Sequence, residues 1–296
     1  MMLTELHKIV PSLNPENLSI EYNDHHQHPY LHGRQIVKDS KALLHLIKLC
    51  GKQKDLIKLR RIHGHILLHD TQLFARDIFV ANALVSMYMK CFALSEAQDL
   101  FDNLPLRNVV TWNALISGYA QQGHGNEAIN FFKQMIDEGV TPNEVTYVCV
   151  LKACGSKGFV ELGEEICVEV TTKGLLRRDI VLGTSIVDMY ARCNMMNKAQ
   201  EVFGKLPKHD IVAWNVLISG YAQQGLVEKA IKCFEKMQQE GFSPNAITLV
   251  CLLKACSATG SLEMGEYIHA EVNRQKLLEN NVIVGNALVD MYAKCN

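Results

Sequence analysis

The segment WNALISGYAQQG at Trp112–Gly123 returns as WNVLISGYAQQG at Trp214–Gly225, an offset of 214 − 112 = 102 residues. A long period of this kind constrains the fold strongly, because each copy must take the same local structure and pack on its neighbours in the same way. The cysteines keep the same beat. Cys91, Cys193 and Cys295 are spaced by 102 and 102, and Cys50, Cys154 and Cys256 by 104 and 102. Cysteines tied to a repeat read as small packing residues in a reducing compartment rather than as disulfide partners or metal ligands.

Asx residues divide the period. Asp77, Asn108, Asn143, Asp179, Asp210, Asn245 and Asn281 each precede a helix-like segment, at intervals of 31, 35, 36, 31, 35 and 36 residues. Such residues are natural N-caps, because a short side-chain oxygen accepts a hydrogen bond from the first helical turn. The 102-residue period is therefore a triplet, 31 + 35 + 36. The units are long 40–77, short 78–108, intermediate 109–143, long 144–179, short 180–210, intermediate 211–245, long 246–281 and a partial short unit 282–296.

Each unit reads as two helices. In 109–143 the first carries Trp112, Leu115, Ile116, Tyr119 and Ala120 at amphipathic spacing. Gly123 and Gly125 mark the turn, and the second helix carries Ala128, Ile129, Phe132, Met135 and Ile136 before Gly139 and Pro142. No proline interrupts a helical pattern. Short helix pairs bury their apolar faces only by stacking, which predicts an all-α solenoid.

At this point the chain resembles the pentatricopeptide-repeat family, and more narrowly its plant subclass with alternating P, L and S motifs. The P-like units are VVTWNALISGYAQQGHGNEAINFFKQMIDEGVTPN and IVAWNVLISGYAQQGLVEKAIKCFEKMQQEGFSPN. The L-like units carry YVCVLKACGSKGFVELGEEI and LVCLLKACSATGSLEMGEYIHA; the S-like units carry NALVSMYMKC, TSIVDMYARC and NALVDMYAKC. The match covers 40–296, with 1–39 left as a partly disordered tail. Phe92 and Asn194 stand at S-unit turns that usually hold Gly, so distortion is expected at Phe92. The final unit stops partway, with no C-terminal extension or DYW deaminase domain, and poor order or aggregation is expected there.

The resemblance implies a right-handed superhelical α-solenoid of paired antiparallel helices, about seven units plus a partial one, binding single-stranded RNA at one nucleotide per unit. It implies that the fifth and last residues of P and S units select the base, while the second residue helps to sandwich it. The pairs are Asn82 with Asn108, Asn113 with Asn143, Thr184 with Asp210, and Asn215 with Asn245; Asn286 begins another. The sandwiching residues are Phe79, Val110, Val181 and Val212. Under the family's code Asn/Asn favours a pyrimidine, C over U, and Thr/Asp favours G. Long units carry Leu44, Val148 and Val250 at the fifth position, where no base-edge hydrogen bond is available. The implied footprint is any–Y–Y–any–G–Y–any. Asn113 lies off the Trp112/Leu115/Tyr119 stripe, on a line with Val110 and Ser117, and is expected to face a base. The last-position Asx residues are equally explained by capping alone.

Composition sets limits. Net charge is −1, which disfavours a generic polyanion binder. The longest apolar run, Ala246–Leu253, is too short to span a membrane. The acidic start before Arg34 does not look like a transit peptide, so mitochondrial or chloroplast localisation rests on the resemblance. The His269–Glu271 HAE lacks the CxxC that zinc deaminases need. His25, His26 and His28 read as an incidental cluster, and KLRRIHGH at Lys58–His65 as a basic helix face that touches phosphate or only solvent. Neither catalysis, a cofactor nor a metal is expected, and the chain is expected to be a monomer. The functional expectation is a specificity module for organellar RNA processing or C-to-U editing, recruiting an enzyme in trans. The alternatives are a helical-repeat scaffold for protein segments and a truncated fragment without independent function.

Overall fold

The computed structural model describes residues 40–70, 73–279 and 281–295; the N-terminal tail and its His25/His26/His28 cluster lie outside them. Two compact units are distinguished, one ending at Thr146 and the other beginning at Tyr147. All regular structure among the described residues is helical.

In the first unit the leading helices of the repeats are Ser40–Gln53, Ile78–Lys90 and Val109–Gln121. Their trailing partners are Leu56–His69, Leu94–Asp102 and Gly125–Asp137, with a single turn at Leu73–Arg76. In the second unit the leading helices are Ile180–Arg192, Ile211–Gln223, Ala246–Thr259 and Val282–Cys295. Val160–Thr172, Met196–Lys205, Val227–Gln239 and Leu262–Arg274 are trailing helices. Helix Glu144–Lys157 begins in the first unit and continues in the second. Within each unit, consecutive leading helices named above contact one another, and the trailing helices of the repeats 40–77, 78–108, 109–143, 180–210, 211–245 and 246–281 pack on their own leading helices. Within each unit the leading helices therefore form a layer on which the trailing helices pack.

The core follows the amphipathic stripes. Trp112, Leu115 and Ile116 are fully buried, as are their period mates Leu217 and Ile218 nearly so. Phe101 meets Trp112 edge-on at 4.6 Å between ring centroids, and Phe203 meets Trp214 at 4.7 Å. This geometry suits the aromatic quadrupoles and ties each short unit to the next. Tyr119 donates to Gln98 at 2.7 Å and Tyr221 to Gln200 at 2.5 Å, so the period repeats in polar contacts as well.

The cysteines behave as the period suggests. None of the ten forms a disulfide, and Cys50, Cys154 and Cys256 are fully buried. Burial pushes the Cys154 thiol up to about 12 and the Cys256 thiol up to about 11, so neither is a thiolate nucleophile at neutral pH.

The structure corrects two expectations and narrows a third. The Phe92 turn is not distorted: Phe92 takes φ 61°, beside 60° at Asn194, and Ala93 N–H reaches the Tyr88 carbonyl at 3.0 Å as Met195 N–H reaches Tyr190 at 2.8 Å. The hydrogen-bonded helix end imposes the left-handed residue, and the exposed Phe92 ring receives the Lys54 ammonium 5.0 Å from its centroid. The last helix is formed, with Val284, Leu288 and Met291 buried against the preceding pair, although Val289 is exposed. The Lys58–His65 stretch keeps Lys58 and Arg61 exposed as a basic face, but two of its members are engaged in the fold. Arg60 is ion-paired with Glu96, and His63 is buried with Nδ1 2.9 Å from the Tyr88 hydroxyl.

Two predictions follow from this packing. A Cβ on Gly118 would meet Met89 Sδ at 2.4 Å and, less avoidably, Met89 Cβ at 2.8 Å. Alanine gains about 1 kcal/mol of helix propensity there, but overpacking costs about 1–3 kcal/mol. Gly118→Ala is therefore expected to lower stability by about 1 kcal/mol in chemical denaturation. Burial holds His63 down to about 4, below its ordinary 6.5. The unfolded chain thus takes up a proton first as pH falls, and stability present above pH 6.5 is lost towards pH 4. Between pH 7 and pH 5 this loss is about 2 kcal/mol, and thermal melts of His63→Gln should show a correspondingly smaller drop.

Candidate nucleic-acid interface

The seven Asx residues all sit at helix starts and all use a side-chain oxygen there. Asp77 accepts from Phe79 and Val80 N–H, Asn108 from Val110 and Thr111, and Asn143 from Thr146. Asp179 accepts from Val181 and Leu182, Asp210 from Ala213, Asn245 from Thr248, and Asn281 from Ile283 and Val284. The first-turn N–H groups have no intrahelical partner, which is why each cap is formed.

The fifth residue of one repeat lies against the cap of the next. Asn82 Nδ2 donates to Asn108 Oδ1 at 3.4 Å, Asn113 Nδ2 to Asn143 Oδ1 at 3.0 Å, and Asn215 Nδ2 to Asn245 Oδ1 at 3.4 Å. A threonine completes each group. Thr111 donates its hydroxyl to Asn82 Oδ1 at 2.5 Å, Thr146 to Asn113 Oδ1 at 2.7 Å, and Thr248 to Asn215 Oδ1 at 2.6 Å. The same threonine oxygens accept the N–H of Asn108, Asn143 and Asn245 at 3.2, 3.1 and 3.2 Å. Three superimposable triads result, each bridging two repeats.

This geometry corrects the picture of Asn113 as standing clear of the core. It is only 8% exposed, Asn82 is equally buried, and Asn215 is half-buried. Both oxygens of each Asn pair are occupied within the triad. What each pair retains is the amide N–H not used inside it. Asn286 differs, being exposed on the last helix.

The fourth pair is built differently. Thr184 is buried, and its hydroxyl has no partner among the described residues. Its neighbour Asp210 caps with Oδ1 on Ala213 N–H at 2.8 Å. Alanine 213 stands where the triads have threonine, so no hydroxyl approaches Thr184 from that side. The pair presents a free hydroxyl and a carboxylate oxygen beyond the one used in the cap.

Beside each pair the second residue projects outward. Phe79 is 71% exposed, Val110 52%, Val181 59% and Val212 56%. Large apolar groups this exposed at a regular interval form a row along the leading helices of each unit. The row also includes Val145, Ile247 and Ile283, which the sequence reading passed over. They occupy the second position of their own repeats, so the unit register was the signal that could have found them. Leu44, Val148 and Val250, the aliphatic fifth residues, are half-buried.

His269 and Glu271 are held in packing contacts. His269 Nδ1 is 2.9 Å from the Tyr292 hydroxyl, and the Arg274 guanidinium holds the Glu271 carboxyl below its usual range. Among the described residues no cluster of three His, Cys, Asp or Glu has metal-ligand geometry, and no helix is long and apolar enough to cross a membrane.

Paired helices, caps at a 31/35/36 rhythm and a repeated polar pair define a helical-repeat protein. Comparison with known proteins gives the family. The PPR repeat family model matches residues 107–156 and 209–258, and the PPR repeat model matches 145–175 and 184–211. The chain is 38% identical over 269 residues to the pentatricopeptide repeat-containing protein At3g24000, mitochondrial, of Arabidopsis thaliana, covering 89% of this chain and 41% of that protein. It is 35% identical over 250 residues to the Arabidopsis thaliana protein At4g18520, chloroplastic, covering 84% of this chain and 40% of that one. The chain belongs to the pentatricopeptide-repeat family, and spans about two-fifths of the length of these relatives. The crystal structure of the pentatricopeptide repeat protein PPR10 in complex with an 18-nt psaJ RNA element matches with a TM-score of 0.66 and 15% identity. That match covers 87% of this chain and 36% of PPR10, and shows the fold, an all-α solenoid of helix pairs.

The two kinds of pair differ in a way that stability measurements can read. A buried hydroxyl without a partner carries its desolvation cost uncompensated, so Thr184→Val is expected to be neutral or stabilising by up to about 1 kcal/mol. Asn113→Leu removes the shorter of the two acceptors of the buried Thr146 hydroxyl, leaving Asn143 Oδ1 at 3.1 Å, and is expected to cost about 1–2 kcal/mol. Denaturant titration of both variants checks the contrast.

Proposed function

We propose that the chain is a sequence-selective single-stranded RNA-binding module of the PLS type, whose base-selecting pairs are Asn82/Asn108, Asn113/Asn143, Thr184/Asp210 and Asn215/Asn245. Asn286 begins a further pair. The observation that carries the reading is the direction in which the Asn pairs are hydrogen-bonded. Capping and the triad occupy their oxygens, leaving amide N–H groups beside an exposed apolar side chain. A donor-only edge suits a base with adjacent acceptors. Cytosine offers N3 and O2, whereas uracil places an N–H donor at N3, so C is favoured over U. Asp210 instead offers an acceptor beside the Thr184 hydroxyl, which suits the N1–H and N2–H₂ donors of guanine. Phe79, Val110, Val181 and Val212 supply the surface on which the base lies, an apolar contact open to any base.

Support also comes from the family. The Arabidopsis thaliana relatives At3g24000 and At4g18520 are named mitochondrial and chloroplastic respectively, and PPR10 was crystallised with RNA. We place this chain in one of those organelles, acting on a transcript in processing or C-to-U editing without catalysis of its own, with the enzyme supplied in trans. Net charge near zero means that affinity rests on base contacts more than on phosphate.

The test is binding to a synthetic single-stranded RNA carrying Y–Y–any–G–Y against one with the G replaced by U. A preference of about tenfold for the G-containing RNA is expected, the scale of one good hydrogen-bonded pair. Equal or negligible binding to both would overturn the reading. Thr184→Asn, with Asp210 retained, should move the preference at that nucleotide from G towards U, because the Asp acceptor then meets the N3–H of uracil.

A further inference from the structure

We infer that the threonine at the third position of the following repeat is a positioning residue for base selection, so that each C-preferring element is a triple spanning two repeats. The triples are Asn82–Asn108–Thr111, Asn113–Asn143–Thr146 and Asn215–Asn245–Thr248. This rests on the RNA-binding reading above and adds to it a residue that touches no base.

An Asn amide can turn over by 180°, exchanging an acceptor for two donors, and that exchange would invert what it recognises. The first triple shows what prevents it. Backbone N–H groups of Val110 and Thr111 fix Asn108 Oδ1 at the helix start, each at 3.0 Å. That oxygen repels Asn82 Oδ1 and attracts Asn82 Nδ2, 3.4 Å away. The Thr111 oxygen accepts Asn108 N–H, so its proton is directed elsewhere. Its two reachable acceptors are Asn108 Oδ1 at 3.1 Å, already taking those backbone donors, and Asn82 Oδ1 at 2.5 Å. The hydroxyl therefore donates to Asn82 and holds its oxygen inward. Thr111 and Thr146 are fully buried, as is Thr248, so none of the three meets solvent or ligand.

The chain's own repeats support the assignment. Asn at the fifth position is followed by Thr at the next third position at all three such junctions. Thr184 is followed by Ala213, and the aliphatic Leu44, Val148 and Val250 by Val80, Leu182 and Val284. Helix capping alone does not explain this pairing. Asp77, Asp179, Asp210 and Asn281 cap their helices without a third-position threonine.

The experiment compares C with U at the nucleotide read by Asn82/Asn108, using the whole chain and synthetic RNAs that differ only there. The wild type is expected to prefer C by about tenfold. Thr111→Val should reduce that preference to within about twofold while leaving the C/U preference at the Asn113/Asn143 nucleotide unchanged. Thr111→Ser, which restores the hydroxyl, should restore the preference. A merely structural role would weaken binding to both RNAs alike and leave the ratio intact, and that result overturns the inference. Ala213→Thr added to Thr184→Asn and Asp210→Asn supplies the gain. The triple variant should prefer C at that nucleotide by more than the double variant does, and equal preferences count against the inference. Failure of the wild type to bind any of these RNAs overturns the RNA reading itself, together with what rests on it.

Discussion

The structure depends on one interaction repeated along the chain, the hydrogen bond from first-turn backbone N–H groups to an Asx side-chain oxygen. Every leading helix that starts at Ile78, Val109, Glu144, Ile180, Ile211, Ala246 or Val282 has this cap. The helix ends need it because their donors have no partner within the helix. A cap is ordinarily a local matter, worth about 1 kcal/mol. Here the capping residue also sits beside the fifth residue of the preceding repeat, so satisfying one helix start orients a side chain on another helix. Stability and the polar character of the surface are set by the same atoms.

That sharing decides what an Asn and an Asp can each offer. Either residue gives one oxygen to the backbone. Asparagine is left with an NH₂ group and is a donor; aspartate is left with a second oxygen and is an acceptor. The choice at the last position therefore changes the hydrogen-bonding sense of the site without changing the fold, and Asn108 and Asp210 illustrate the two cases with near-identical backbone caps. This answers the difficulty that capping alone accounts for an Asx at every junction. Capping requires an oxygen, and it is indifferent to what the other half of the side chain carries.

Much of this was legible beforehand, for identifiable reasons. The 102-residue period and its division by Asx residues are one-dimensional features, and local rules of capping and amphipathic spacing turn them directly into helices. The burial of Asn82 and Asn113 was not legible, because counting along one helix places them off the apolar stripe. They are covered by residues about thirty positions later, Thr111 and Asn143 among them, and no local periodicity encodes that contact. The Phe92 turn misled in the opposite direction. Residue preference alone predicts distortion, whereas the hydrogen bond closing the helix end holds the same φ as at Asn194. The basic stretch from Lys58 is narrower than a charge count suggests, because ion pairing and burial, here Arg60 with Glu96 and His63 under Tyr88, are invisible in one, while Lys58 and Arg61 stay exposed.

The long repeats complete the logic. They keep an exposed aliphatic residue at the second position, Val145 and Ile247, so the apolar row continues through them. At the fifth position they hold Val148 and Val250, followed by the fully buried Leu182 and Val284 at the next third position. A polar fifth residue without a hydroxyl to meet it would strand a buried amide oxygen, at a cost of about 1–3 kcal/mol. An aliphatic pair removes both partners together and avoids that cost. The alternation of Asn and aliphatic junctions therefore follows from satisfying buried groups two at a time, with Thr184 and Ala213 the exception, and under the proposed RNA reading it leaves base-edge contacts to the short and intermediate repeats while the long ones contribute surface alone.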